Sequence, residues 1–460
     1  MNNGNPNNNN KTNNNNVRPF YDYRKNDIME ENVRIEDLYE AYYECRRKKR
    51  NKKSAIEFEM NYESNIRKLF DELNARTYEI SASVCFCVTR PKIREVFAAS
   101  FRDRIVHHYL IRKIGHIIES EQIDDSYSCR KGKGVDFGVR RVAEKIKRIS
   151  SNYTTECYVM KCDIKGFFMS IDKDIMWNML KRVINEKYDA ADKDFILWIT
   201  EKIVKHRPEK NCEIHGNKDL FGLLSDDKTL FKNNGRGVPI GNLTSQIFGN
   251  FYLSRFDKEI YAMVDGGYGR YVDDIILIHP SKKYLLSLLP MIRSKLKEEY
   301  GLTLHPSKLY LQDATKGVKF VGQVIKPGRI YVGSRTVNNA FEMLERHCPE
   351  DVTELRTKAN CYAGYMRGDK SAYAIRRRFL AEAWEKSNGK AYADRRWRKI
   401  VIKQKYNPST IRRAKTINER NNNLSELYSI RAAWCTRGRV ERRRKNLRKY
   451  GKNNHHKRLL

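Results

Sequence analysis

Apolar and polar positions change their spacing several times along the chain, and each change predicts an element. Residues 1–16 are nearly all Asn, with some Gly, Pro, Lys and Thr. They have no apolar groups to bury, so a disordered tail is expected there. In the middle of the chain strand-like and helix-like runs alternate, which signals a mixed α and β fold. Tyr158 to Asp163 reads as a strand that ends on an acid. Asp172 is placed to cap a helix carrying Ile175, Met179 and Val183 on one face. Leu243, Ile247 and Phe251, then Phe256 and Ile260, have helical spacing. Tyr271 to Ile278 is two apolar runs interrupted by Asp273-Asp274, which predicts a hairpin with acids at its tip. Val318 to Val324 and Ile330 to Val332 predict another, turned by Pro327-Gly328. From about Glu354 the pattern becomes helical and basic, as in Arg376-Arg377-Arg378, and the stretch from Arg395 to Leu460 is dense in Lys and Arg. No internal repeat is evident. Boundaries are expected near residues 90, 155, 345 and 390.

Charge narrows the picture. The 460 residues include 91 Lys and Arg against 56 Asp and Glu, a formal net charge of +35. An excess of that size points to a polyanionic partner, and to nucleic acid in particular. Hydrophobic residues make up 40% of the chain, enough for a sizeable core. There is no apolar run of membrane-spanning length and no signal-peptide pattern at Met1, so a cytoplasmic protein without a membrane partner is expected. None of the 10 cysteines has the spacing of a structural zinc site; Cys212-Glu213-Ile214-His215 comes nearest and stands alone. Buried or free thiols are the expectation.

Candidate chemistry sits on carboxylates. Asp273 and Asp274 are adjacent, between two very apolar runs. Two like charges at the edge of a core are costly unless a cation neutralises them. Asp163 ends an apolar strand in the same way. Three acids delivered at strand ends suit a pair of magnesium ions about 4 Å apart, which activate a 3′-hydroxyl and stabilise a leaving pyrophosphate. Magnesium prefers a few carboxylates plus substrate phosphates over a full protein cage. For Asp172 and Asp174 a helix cap is the better reading.

These residues resemble a known family. Tyr271-Val272-Asp273-Asp274 looks like the YxDD box of reverse transcriptases, and Asp163-Ile164-Lys165-Gly166-Phe167-Phe168 is similar to their first palm motif. The resemblance runs from about Arg18 to Leu380. It implies an α+β right-hand polymerase with fingers, a ferredoxin-like palm and a helical thumb. The expected division is a tail over 1–16, fingers with N-terminal helices over 17–155, palm with primer-grip hairpin over 156–345, thumb over 346–390 and a basic helical extension over 391–460. By the same resemblance Asp163, Asp273 and Asp274 hold two Mg2+ ions, with Ile164 beside them and Mn2+ as a substitute. Phe168 becomes the steric gate that excludes a 2′-hydroxyl, with Phe167 as its competitor.

Further motifs are read the same way. Arg90-Pro91-Lys92-Ile93-Arg94 resembles a fingers segment in which Arg94, and secondarily Lys92, contacts the incoming triphosphate; an arginine fork suits phosphate oxygens. Arg102 and Arg104 are read instead as internal salt-bridge partners. Ser126 to Gly134 is a basic glycine loop without Walker A spacing. It resembles a template-contacting loop, with Arg130, Lys131 and Lys133 facing template phosphates. Lys308 resembles the lysine that protonates pyrophosphate. Gly317 to Gly322 is similar to a primer grip built from Phe320, Val321 and Gly322.

One departure separates subfamilies. Most reverse transcriptases carry Gln-Gly where this chain has Ile240-Gly241, and Ser-Pro where it has Ser245-Gln246. Both departures resemble the enzymes of diversity-generating retroelements, bacterial or phage-encoded, which copy a template RNA with frequent errors opposite adenine. Ile240 cannot make the hydrogen bonds a Gln makes near the templating pair, so mismatch rejection weakens. Gly241 is read as letting the backbone approach that pair. The partners implied are template RNA, a cDNA or primer strand, dNTPs and a small basic accessory protein. Competing readings are a phage-defence or retron-like reverse transcriptase, a group II intron maturase, and a non-catalytic RNA-binding polymerase relic.

Overall fold

The computed structural model describes residues 32–404 apart from 48, 51, 90, 91 and 367–369. The Asn-rich tail, Arg90 and the stretch after 404 therefore lie outside the described residues. The chain forms two compact units, one of residues 1–138 and 158–311, the other of 139–157 and 312–460. The primer-grip hairpin expected within the palm thus falls in the second unit, whose C-terminal part begins earlier than the change of composition suggests.

The first unit carries two sheets. Strands β1 (Ser83–Val88) and β2 (Arg94–Ala98) pair antiparallel, and β4 (Cys212–Ile214) adds in parallel to β1. The second sheet is built around β3 (Tyr158–Asp163), β5 (Tyr268–Tyr271) and β6 (Asp274–His279), in the order β5-β6-β3, with β7 (Tyr310–Asp313) beside β3. Ile275, Ile276, Leu277 and Ile278 on β6 are all fully buried. A run with no polar alternation is what a strand covered on both faces requires. Helices Phe101–Ser120, Lys173–Lys187, Leu243–Tyr252 and Lys282–Tyr300 contribute to one continuous core with this sheet.

Local chemistry explains the ends of these helices. Asp172 accepts from the main-chain N–H of Asp174 and Ile175, as its sequence position predicts. Ser100 caps Phe101–Ser120 and exchanges hydrogen bonds with Asp103, which is buried and also accepts from Tyr78 Oη at 2.7 Å. Asn242 opens Leu243–Tyr252 and accepts from Ala99 N, tying that helix to the end of β2.

In the second unit β8 (Val318–Phe320), β9 (Gln323–Lys326) and β10 (Arg329–Val332) form an antiparallel meander. The single strand predicted over Val318 to Val324 is broken. Val321 and Gly322 both take positive φ, which turns the chain between β8 and β9. Helices Ser334–Glu345, Val352–Tyr365 and Lys370–Glu385 pack on a separate core. The helical extension predicted after 390 begins instead as two strands, β11 (Ala391–Ala393) and β12 (Ile400–Ile402). Asn360 fixes them, since its side chain accepts from Ile400 N and donates to Ile400 O. Among the described residues no helix is long and apolar enough to cross a membrane, and all nine described cysteines are free.

Candidate active site

The register of the second sheet brings the three aspartates together. Asp163 at the end of β3 is the direct partner of Asp274 at the start of β6. The chain then crosses over them: Ile164 N donates to Asp273 O at 3.1 Å, and His305 N donates to Asp163 O at 2.7 Å. Burial and the neighbouring charges of Asp274 and Asp163 push the Asp273 carboxyl up to about 6. Asp163 and Asp274 each face a lysine, Lys308 at 2.6 Å and Lys161 at 2.9 Å. As they stand, no group of three His, Cys, Asp or Glu side chains is gathered closely enough among the described residues to hold a metal ion. Carboxylate oxygens are the donors a hard divalent cation takes, and the strand register sets the three acids at neighbouring backbone positions. Ile164 adds only its main chain, since its side chain is buried.

The turn carrying Asp273 is held from beneath. Val272 has φ of 57°, an unfavourable conformation for a β-branched residue. Arg270, fully buried, donates from Nη1 to Val272 O at 3.0 Å and to Asn250 Oδ1 at 3.2 Å. Its other donors go to both Asp257 oxygens, at 2.7 and 2.6 Å, and to Asn250 O at 2.9 Å. Tyr268 Oη also donates to Asp257. Tyr127 N donates to Arg270 O, and the Tyr127 ring fills the space beside Gly138 and Gly269. Asn250 Nδ2 donates to Ser128 O. The basic loop and the aspartate turn are therefore built on one buried network. Sequence inspection passed over Arg270, Asn250 and Asp257. The signal was available: an arginine inside an apolar strand must find a buried partner.

Next to the aspartates lies Phe167–Ser170, a short helix. Phe167 is core, whereas Phe168 is partly buried. Val238 N donates to Phe168 O at 2.8 Å and Ile240 O accepts from Phe97 N at 2.9 Å, so residues 238–240 bridge this helix to β2. Lys92 and Arg94 are exposed, Arg94 on β2. Gly241 differs from the sequence expectation. A Cβ there would come within 2.8 Å of Phe97 O, so the glycine serves a close approach to β2 itself. Ile240 likewise packs against the apolar cluster of Cys85, Phe97, Met169 and Leu230.

The basic loop also needs correction. Arg130 is turned inward, donating to Glu119 at 2.7 Å and to Ser126 O at 3.0 Å. Lys133 is held on Asp124 and lies 5.7 Å from the Phe137 ring centroid. Both cations satisfy carbonyls and carboxylates of their own neighbourhood, and Lys131 is left exposed. Arg102 pairs with Glu72 and lies over the Tyr78 ring, as expected of a structural cation. Arg104 has its Nε buried without a hydrogen-bond partner. In the second unit, Phe320 is buried, while Val321 and Gly322 form the β8–β9 turn whose carbonyl accepts from Gly333 N.

Comparison with known proteins bears on the family of the chain. Residues 90–325 match the family model described as reverse transcriptase (RNA-dependent DNA polymerase). The chain is 22% identical over 301 residues to Protein YkfC of Escherichia coli K12, covering 58% of this chain and 72% of that protein. It is 25% identical over 138 residues to nuclear intron maturase 1, mitochondrial, of Arabidopsis thaliana, covering 29% of this chain and 18% of that one. Among solved structures, telomerase from Candida albicans in complex with a telomeric RNA fragment superposes with a TM-score of 0.42 at 13% identity. That match covers 73% of this chain and 60% of the telomerase.

Proposed function

Because this chain belongs to the reverse transcriptase family of RNA-dependent DNA polymerases, we propose that it makes cDNA from a template RNA through Asp163, Asp273 and Asp274. The observation that carries this reading is the pairing of Asp163 with Asp274 across β3 and β6, with Asp273 at the turn beside them. These three acids would hold the divalent ions, magnesium by preference, which supply charge neutralisation for nucleotidyl transfer. Lys308 and Lys161 are the counter-charges that the ions would displace. Lys308 is then free to give a proton to the departing pyrophosphate. Arg94, with Lys92, meets the triphosphate, and Phe168 crowds a 2′-hydroxyl. Lys131 meets template phosphate, and the β8–β9 turn at Phe320, Val321 and Gly322 serves as primer grip.

The finer reading is an error-prone enzyme of the diversity-generating type, copying template adenines with low fidelity. Ile240-Gly241 and Ser245-Gln246 support it. With Ile240 packed on an apolar cluster, no side-chain amide is offered at this position to test a base pair. Incorporation of dNTPs by the purified protein on primed RNA tests the activity. Asp273→Ala should abolish incorporation and leave RNA affinity intact; full activity in that variant would remove the assignment. Sequencing the cDNA made from the RNA encoded beside this gene tests the finer reading. Errors concentrated opposite adenine support it, and an even, low error rate refutes it.

A further inference from the structure

Beside the basic loop lies a cavity of about 340 Å³ that the catalytic reading leaves without a role. Its apolar walls include Ile111 and Ile247, from helices Phe101–Ser120 and Leu243–Tyr252, and Lys131 is the exposed cation of its lining. The volume is at the small end of the range for organic ligand pockets, about 300–1,000 Å³. Two features show that the space is kept for something. Gln122 lines it and is 91% buried, yet its Oε1 has no hydrogen-bond partner, while Nε2 is anchored on Ile118 O at 3.4 Å. A buried acceptor left unpaired is costly and calls for a donor. Gly115 lies inside a 20-residue helix, where glycine costs stability relative to alanine. A Cβ built there comes 3.2 Å from a methyl of the partly exposed Ile111, a tight approach, so even an alanine must move a residue of the cavity wall.

We infer that this cavity receives one unpaired base of the template RNA, lying flat over Gly115 between Ile111 and Ile247, with an edge N–H on Gln122 Oε1 and its phosphate on Lys131. Apolar walls with an edge acceptor and an adjacent cation are how proteins hold splayed-out RNA bases. The inference rests on the reading that the basic loop meets template RNA.

The test is an abasic scan. Single abasic sites are placed in turn along the unpaired template of a primed RNA, and affinity is measured for the full-length protein, Gly115→Leu, Gly115→Ala and Gln122→Met. One abasic position should weaken wild-type binding at least threefold. Gly115→Leu should bind intact template at least threefold more weakly and be indifferent to that abasic site. Gly115→Ala, which adds less bulk, should also bind intact template more weakly while keeping the cooperative melting transition of wild type. Wild-type affinity in both Gly115 variants, or a flat abasic scan, overturns the inference; so does an effect seen only when the abasic site is in the DNA primer. Lys131→Ala separates the two levels. Unchanged affinity and salt dependence in that variant mean that the loop does not meet RNA, and both readings fall. Weakened binding in Lys131→Ala with normal binding in Gly115→Leu removes the pocket alone.

Discussion

Arg270 holds the carbonyl of Val272 at 3.0 Å, and Val272 is the residue whose left-handed conformation sets the direction of Asp273. Such a conformation in a β-branched residue costs roughly 1–3 kcal/mol and persists only where neighbours impose it. Arg270→Lys keeps a positive charge for Asp257 but has no planar fork to reach Val272 as well. The expected outcome is a fall in kcat of at least tenfold, with KM for dNTP and RNA affinity within about twofold. Tyr268→Phe is the comparison, because it touches Asp257 and not the turn. It should lower Tm and leave kcat near wild type. Steady-state incorporation kinetics on both variants check this.

Metal-free protein should be more stable without its central acid. The Asp273 carboxyl titrates near 6, above its unfolded value, through burial and the charges of Asp274 and Asp163. Its contribution to stability is therefore fully present at low pH and is lost as pH rises through about 6. Asp273→Asn removes the charge that becomes costly there. In the presence of a chelator the variant should melt roughly 2–6 °C above wild type at pH 8, with the gap closing toward pH 4. Incorporation should be absent at every pH. Melting curves across pH, without and with magnesium, provide the measurement.

Acid should loosen the first unit through a different group. Burial, then the neighbouring His206, His108 and Arg104, lower the His107 imidazole to about 3. A depressed pKa gives stability that is present above about 6.5 and drains away as pH falls toward 3. His108 and His206 are shifted in the same direction, again chiefly by burial. His107→Gln should flatten the slope of Tm against pH between 6.5 and 4. An unchanged slope would show that other groups carry the acid transition.

Sugar selection should separate the two adjacent phenylalanines. Phe168→Ala is expected to raise ribonucleotide incorporation at least tenfold relative to deoxynucleotides, with a small change in Tm. Phe167→Ala removes a core ring and should cost about 3–5 kcal/mol of stability with far less effect on sugar choice. Paired dNTP and rNTP competition assays distinguish them.

Much of this site was legible in the sequence because its signals are local. Asp273-Asp274 between apolar runs predicts the hairpin, and Asp172 predicts its helix. What escaped depends on distant partners. Arg130 and Lys133 look like free cations in a glycine loop, but their acceptors, Glu119 and Asp124, lie off the motif. Gly241 looks like a ligand-facing glycine until Phe97, far away in sequence, is seen to press on it. The break in β8–β9 falls at Val321, whose β-branched side chain argues for a strand; its positive φ is imposed by the turn.

The bridge over residues 238–241 has a consequence for how this enzyme can change. Its two ends are fixed by main-chain bonds, Val238 N to Phe168 O and Ile240 O to Phe97 N. Neither bond depends on which side chain stands at 240. The link between Phe168 and the strand bearing Arg94 is thus made independently of that side chain. On the proposed reading of residue 240, accuracy and turnover are inherited separately: a lineage that trades one residue there for another explores copying error while these two main-chain bonds stay in place.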